Sequence, residues 1–184
     1  MLVRLVLLLA LSPLLASCAG SVAGERVDPA FEAPYTLGPG DRLRVVVFGQ
    51  DGLSNTYAVD GSGRITMPLI GTVDARGKTT NELAVAIGTK LRAGYVREPH
   101  VAVEVETFRP FFILGEVTNA GQYAYVNGLT VQSAVAIAGG FSPRALKTGA
   151  HVSRIVNGQT VTAAVPLSYP LRPGDTVTID ERWF

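Results

Sequence analysis

Apolar and polar residues alternate along several short stretches of this chain, and helical spacing interrupts them twice. Leu43, Val45 and Val47 alternate with Arg42, Arg44 and Val46, which predicts a strand with one wetter face. Before it, Leu37-Gly38-Pro39-Gly40-Asp41 is a turn signal: Pro presets φ and Gly supplies the positive φ of a type II turn. A second strand is expected around 55–59. It leads through Asp60-Gly61-Ser62-Gly63, read as a hairpin turn, into a strand over 64–67. Leu83, Ile87 and Leu91 then fall on one helical face, behind Thr79 and Glu82 at capping-box spacing and ahead of Gly94. Val101, Val103 and Val105 restore the strand period. One α+β unit accounts for residues 34–107.

The pattern then begins again. A short apolar run over 111–114 ends at Gly115, and Gly121-Gln122-Tyr123 predicts a turn into another strand. Thr130 caps a helix that carries Val131 and Val135 and runs through Ala138 to stop at Gly139-Gly140. Strands over 150–155 and 160–165 flank an Asn157-Gly158 turn, and a last strand covers 176–179. The second unit, 108–184, therefore has a C-terminal strand. The chain also echoes itself: residues 37–45 match 171–179, each placing Pro-Gly-Asp before an alternating strand. Two readings stand, a good strand lead-in used twice or a shared architectural role.

The N-terminus is of another kind. Arg4 precedes an apolar run over 5–11, too short to span a bilayer, and Leu15-Ala16-Ser17 precedes Cys18, the chain's single cysteine. A lone cysteine in a secreted chain has no internal disulfide partner. The Leu-Ala-Ser-Cys run resembles the lipobox of bacterial lipoproteins, which implies a signal peptide over 1–17, lipidation of Cys18 and a tether over 18–33. Ala19, where an aspartate would favour inner-membrane retention, implies by the same resemblance an outer-membrane, periplasm-facing anchor. Without residues 1–17 the chain holds 15 basic and 15 acidic residues. That balance, with no basic block, argues against nucleic acid, whose binding is dominated by phosphate neutralisation.

Enzymatic motifs are weighed and set aside. Residues 71–79 imitate a phosphate-cradling loop, but five residues separate Gly71 and Gly77 where that loop needs four, so the stretch is read as a turn before the capped helix. His100 and His151 lie in unrelated contexts, so no metal is expected, and no Gly-x-Ser-x-Gly elbow occurs. Glu104 and Glu106 share a strand face rather than facing each other across a sugar. No catalytic residue and no cofactor is expected. Among the aromatics, Phe108, Phe111 and Phe112 are weighed as sugar contacts against core packing, and Tyr123, Tyr125, Trp183 and Phe184 are kept as candidate glycan or partner contacts. Trp183 and Phe184 suit a docking tail.

Together the landmarks resemble the polysaccharide export family of outer-membrane lipoproteins. Tyr35-Thr36-Leu37 with Gly40-Asp41 looks like its opening motif, and Asp60, Gly63, Ile65, Pro68, Gly71 and Val73 fit its next stretch. Gly115-Glu116-Val117, Gly121-Gln122-Tyr123 and Ala138-Gly139-Gly140 resemble its β-grasp ligand-binding domain. The resemblance implies an α+β fold: a polysaccharide-export unit followed by a β-grasp-like unit. It implies a homo-oligomer that conducts or gates capsule or exopolysaccharide export, partnered with an inner-membrane copolymerase or chain-length protein. Large members carry further β-grasp repeats and a C-terminal amphipathic helix. This chain shows one such unit, so the expectation is a periplasmic ring or conduit rather than a membrane pore. The alternative is a monomeric glycan-binding lipoprotein module.

Overall fold

The computed structural model describes residues 34–156 and 158–183. The signal peptide, Cys18, the tether, Asn157 of the Asn157-Gly158 turn and Phe184 lie outside the described residues.

In the first unit, β1 (Arg42–Val47) buries every second residue: Leu43, Val45 and Val47 point inward. It is the centre of a three-stranded antiparallel sheet, between β2 (Asn55–Ala58) and β5 (Val101–Thr107). The expected capping box is present on α1 (Thr80–Arg92): Glu82 N donates to the Thr79 hydroxyl, and the Glu82 carboxylate accepts from Thr79 N at 2.8 Å. Leu83, Ile87 and Leu91 are fully buried with the inward residues of β1, as the periodicity requires.

The stretch after β2 differs from the reading of the sequence. Asp60-Gly61-Ser62-Gly63 does turn tightly, with the Asp60 carboxylate accepting from Ser62 N and Arg64 N. The strand that follows, β3 (Arg64–Met67), does not pair with β2. It pairs with β4 (Gly71–Asp74), a strand where only a turn was expected, and the two form a separate hairpin. The reason is local: β4 has only Val73 buried, so its alternation is too short to register as a pattern. Ile65 and Met67 supply the opposing apolar face.

The second unit has β6 (Phe111–Gly115), β7 (Gly121–Tyr123), α2 (Val131–Ile137), β8 (Gly149–Val156), β9 (Gln159–Pro166) and β10 (Thr176–Ile179). They build a mixed sheet in the order β7-β6-β10-β8-β9. Its first and last strands, β6 and β10, run parallel side by side in the middle, and the remaining pairs are antiparallel. Val131, Ala134 and Val135 of α2 join the inward residues of the sheet, and Thr130 caps the helix by accepting from Ser133 N. This is a β-grasp-like α+β fold. Two hydrophobic clusters result, one drawn from residues 37–103 and the other from 111–179, with no buried residue in common.

Candidate ligand groove at the junction of the two units

The repeated Pro-Gly-Asp run builds the same turn twice. In Gly38-Pro39-Gly40-Asp41 the amide of Asp41 donates to the Gly38 carbonyl at 3.2 Å. In Arg172-Pro173-Gly174-Asp175 the matching bond is 3.1 Å. The third residue takes φ +93° at Gly40 and +85° at Gly174, a region that favours glycine. Each aspartate then folds back to accept from the amide three residues earlier, Gly38 N at 2.9 Å and Arg172 N at 2.7 Å. Both carboxylates are thereby delivered to the interior, where Asp41 is 0% and Asp175 1% exposed.

The two turns flank one side chain. Arg109, in the link between β5 and β6, donates from its backbone N to Asp41 Oδ1 at 3.0 Å and from Nη1 to Oδ2 at 3.1 Å. Its Nε donates to the Pro173 carbonyl at 3.1 Å. A methyl group on Gly38 would come within 2.6 Å of Nη1, and one on Gly174 within 2.7 Å of Nε. The echo is therefore architectural: both turns press on the residue that joins the units.

Tyr35 completes the latch. Its hydroxyl donates to Asp41 Oδ2, and the Arg109 guanidinium lies 5.2 Å from its ring centre. Burial, and then the hydrogen bond to Asp41, push the phenol far above its ordinary pKa, so it stays a neutral donor. Tyr35 meets Phe108 edge-on at 5.4 Å, and Phe108 meets Tyr125 edge-on at 5.3 Å. Tyr125 is fixed in turn, its hydroxyl donating to the Leu171 carbonyl at 3.1 Å.

These three rings line a cleft of about 580 Å³ between the units, with Glu104, Asn127 and Arg172 as its main polar groups. That size is within the range of small-ligand sites. Anchored hydroxyls leave the ring bodies as a preorganised platform, at little conformational cost to a ligand. Arg109 escaped the sequence reading, Tyr35 entered it only as part of the opening motif and Arg172 only within the repeated run; the Pro-Gly-Asp echo was the signal that could have joined them.

The other candidates fall elsewhere. Tyr123 stacks on Phe111 at 5.9 Å and donates to the Asn119 carbonyl, so it braces the second core. Trp183 is 92% exposed, away from the cleft lining. The family landmarks Gly115, Glu116, Gly139 and Gly140 meet at the far end of the second sheet. Glu116 accepts from Ser142 and pairs with Arg144 at 3.2 Å, and Thr118 bonds the carbonyls of Gly139 and Gly140. Gly115 packs so closely on Ile179 that a methyl would lie 2.1 Å from its carbonyl oxygen. Gly71 opens β4 at φ +65°. Glu104 and Glu106 are exposed, and Glu104 faces Arg44 across the β1–β5 ladder. Among the described residues no three His, Cys, Asp or Glu side chains gather as a metal set.

Comparison with known proteins places these features. Residues 29–106 match the family described as polysaccharide biosynthesis/export protein, and residues 110–163 match the SLBB domain. The chain is similar to the exopolysaccharide production protein ExoF of Rhizobium meliloti (strain 1021), 37% identical over 144 residues, which cover 72% of this chain and 32% of that protein. It is also similar to the polysialic acid transport protein KpsD of Escherichia coli, 26% identical over 151 residues, covering 80% of this chain and 26% of that protein. The chain thus spans about a third or less of the length of these curated relatives.

Proposed function

The chain is a polysaccharide export family protein by its two matched domains, and from that premise we propose that it helps move a polysaccharide across the bacterial envelope by passive contact. It acts as a periplasm-facing lipoprotein, anchored in the outer membrane through Cys18, and it oligomerises so that the copies conduct or gate the glycan. An inner-membrane copolymerase or chain-length protein delivers the polymer. The observation that carries the reading is the aromatic-lined cleft between the two units. It is open rather than enclosing, which suits a long polar chain that must be held and released repeatedly. A deep, tight sugar site would stall such a chain.

The relatives' names support the direction of the reading, one describing exopolysaccharide production and the other polysialic acid transport. No helix among the described residues is long and apolar enough to cross a membrane, and acyl chains on Cys18 would supply an anchor. Secreted polysaccharide is measured in a strain deleted for this chain and complemented with the unaltered chain, Cys18→Ser or Phe108→Ala. Restoration by the unaltered chain alone supports the reading, and normal secretion from the deletion strain sinks it. Electron microscopy of the lipidated protein in mild detergent tests assembly: a closed ring supports a conduit, and a monomer at high concentration leaves the glycan-binding module.

A further inference from the structure

The cleft contains a cation whose charge the chain leaves unanswered. Arg172 lines it beside Leu171, whose carbonyl holds the Tyr125 hydroxyl. Three arginines near it are paired: Arg109 with Asp41, Arg154 with Asp175, and Arg144 with Glu116 and Glu181. Among the described residues, no carboxylate lies within ion-pair distance of the Arg172 guanidinium. Asp175 favours its charge, but both of that carboxylate's oxygens are engaged by Arg154, at 2.8 and 2.7 Å. Burial, and then the neighbouring charge of Arg154, push the Arg172 pKa down. An arginine does not shed its proton to escape such surroundings. What relieves it is an anion arriving from outside.

The rest of the lining narrows the kind of anion. Phe108 and Tyr125 offer ring surface beside the cation, which a small inorganic ion cannot use but the apolar face of a pyranose can. A guanidinium grips a carboxylate with two parallel N–H···O bonds. Glu104, in the wall contributed by the first unit, is the cleft's one carboxylate and stands opposite Arg44 in the strand ladder. Asn127 adds a donor and acceptor for hydroxyl groups.

We propose that the cleft is a subsite selective for acidic sugars, in which Arg172 pairs with a sugar carboxylate while Phe108 and Tyr125 pack against the ring. This rests on the reading that the chain handles polysaccharide, and it adds the class: a polymer bearing uronate or similar carboxyl groups. The subsite is weak by design, with one charged contact per sugar and one wall open to water.

Titration calorimetry of the purified chain compares a hexameric oligoglucuronate with its carboxyl-reduced, neutral counterpart. The acidic oligosaccharide is expected to bind about tenfold more tightly, the scale of one charge-assisted contact. Arg172→Gln should abolish that preference, and Arg172→Lys should restore part of it. The Arg172 guanidinium makes no ion pair within the described residues, and an unchanged unfolding midpoint of the variants confirms that the fold is intact. Equal affinity for the two oligosaccharides, or a preference that survives Arg172→Gln, overturns the acidic class. Binding of neither removes the cleft as a subsite. In each of these cases the secretion assay still decides the export reading separately, because loss of selectivity predicts nothing about the deletion strain.

Discussion

Asp41 and Asp175 end two copies of one turn, yet they answer to different parts of the molecule. Asp175 is matched inside its own sheet: Arg154, on the neighbouring strand β8, forks onto it with a side chain only 7% exposed. Asp41 is matched across the junction by Arg109, whose side chain is 26% exposed, and by the hydroxyl of Tyr35. Local sequence dictates the turn, the positive φ at glycine and the burial of the carboxylate. It does not dictate the partner. One copy is a core anchor and the other a latch between units, and the difference lies in how far the cation can retreat into water.

That difference orders the effects of breaking each pair. Asp175→Ala should cost the most, about 3–5 kcal/mol, because it takes the carboxylate from a buried guanidinium. Urea unfolding of the second unit measures it. Adding Arg154→Met to Asp175→Ala should recover part of the loss, since the buried charge is then gone. If the double variant is no more stable than the single one, the uncompensated charge is not the cause.

Asp41→Ala should cost less, about 2–3 kcal/mol, although its carboxylate accepts more bonds, because Arg109 can turn to solvent. Its signature should be a change in the relative orientation of the units, seen by small-angle scattering, with the second unit's unfolding midpoint unmoved. Equal losses in both units would mean that the two turns do not divide their roles. A third substitution, Gly174→Ala, attacks the contact both turns share. The positive φ alone should cost about 1–2 kcal/mol, and the new methyl would displace Arg109 from the Pro173 carbonyl. Gly40→Ala meets only the Arg109 Cβ, at 3.4 Å, so it should show the φ cost without the shift in orientation.

Much of the fold was legible because its signals are periodic. The alternation around β1 and the capping box with Leu83, Ile87 and Leu91 name their elements and their buried faces. β4 was missed because one buried residue is no pattern. The pairing of β3 with β4 rather than β2 was missed because a turn fixes chain reversal, not the sheet that each strand joins. The junction was less legible still. Arg109 carries no local motif, and its meaning comes from contacts 64 and 68 residues away in sequence. Tyr125 was singled out as an aromatic and does line the cleft, but nothing in its own neighbourhood separated it from Tyr123, which packs on the same core without reaching the cleft lining. Only the repeated Pro-Gly-Asp run pointed to this place, and it did so without saying what stood between the copies.

The smallest test concerns the phenol that bonds the Asp41 carboxylate. The Tyr35 phenol donates to Asp41, and its pKa in the folded chain is raised by burial and by that bond. A raised folded value means that its contribution to stability is complete below the unfolded value of about 10 and is lost as pH rises through the folded one. The latch should therefore weaken only in strong alkali. Tyr35→Phe should cost about 1 kcal/mol near neutral pH. Burial raises Tyr57 and Tyr125 as well, so in an absorbance titration of phenolate the unaltered chain should show several late steps, and Tyr35→Phe should remove the last of them. A last step that persists in Tyr35→Phe belongs to another tyrosine. The Asp41 turn would then be held by Gly38 N and Arg109 without the phenol, as the Asp175 turn is held by Arg172 N and Arg154.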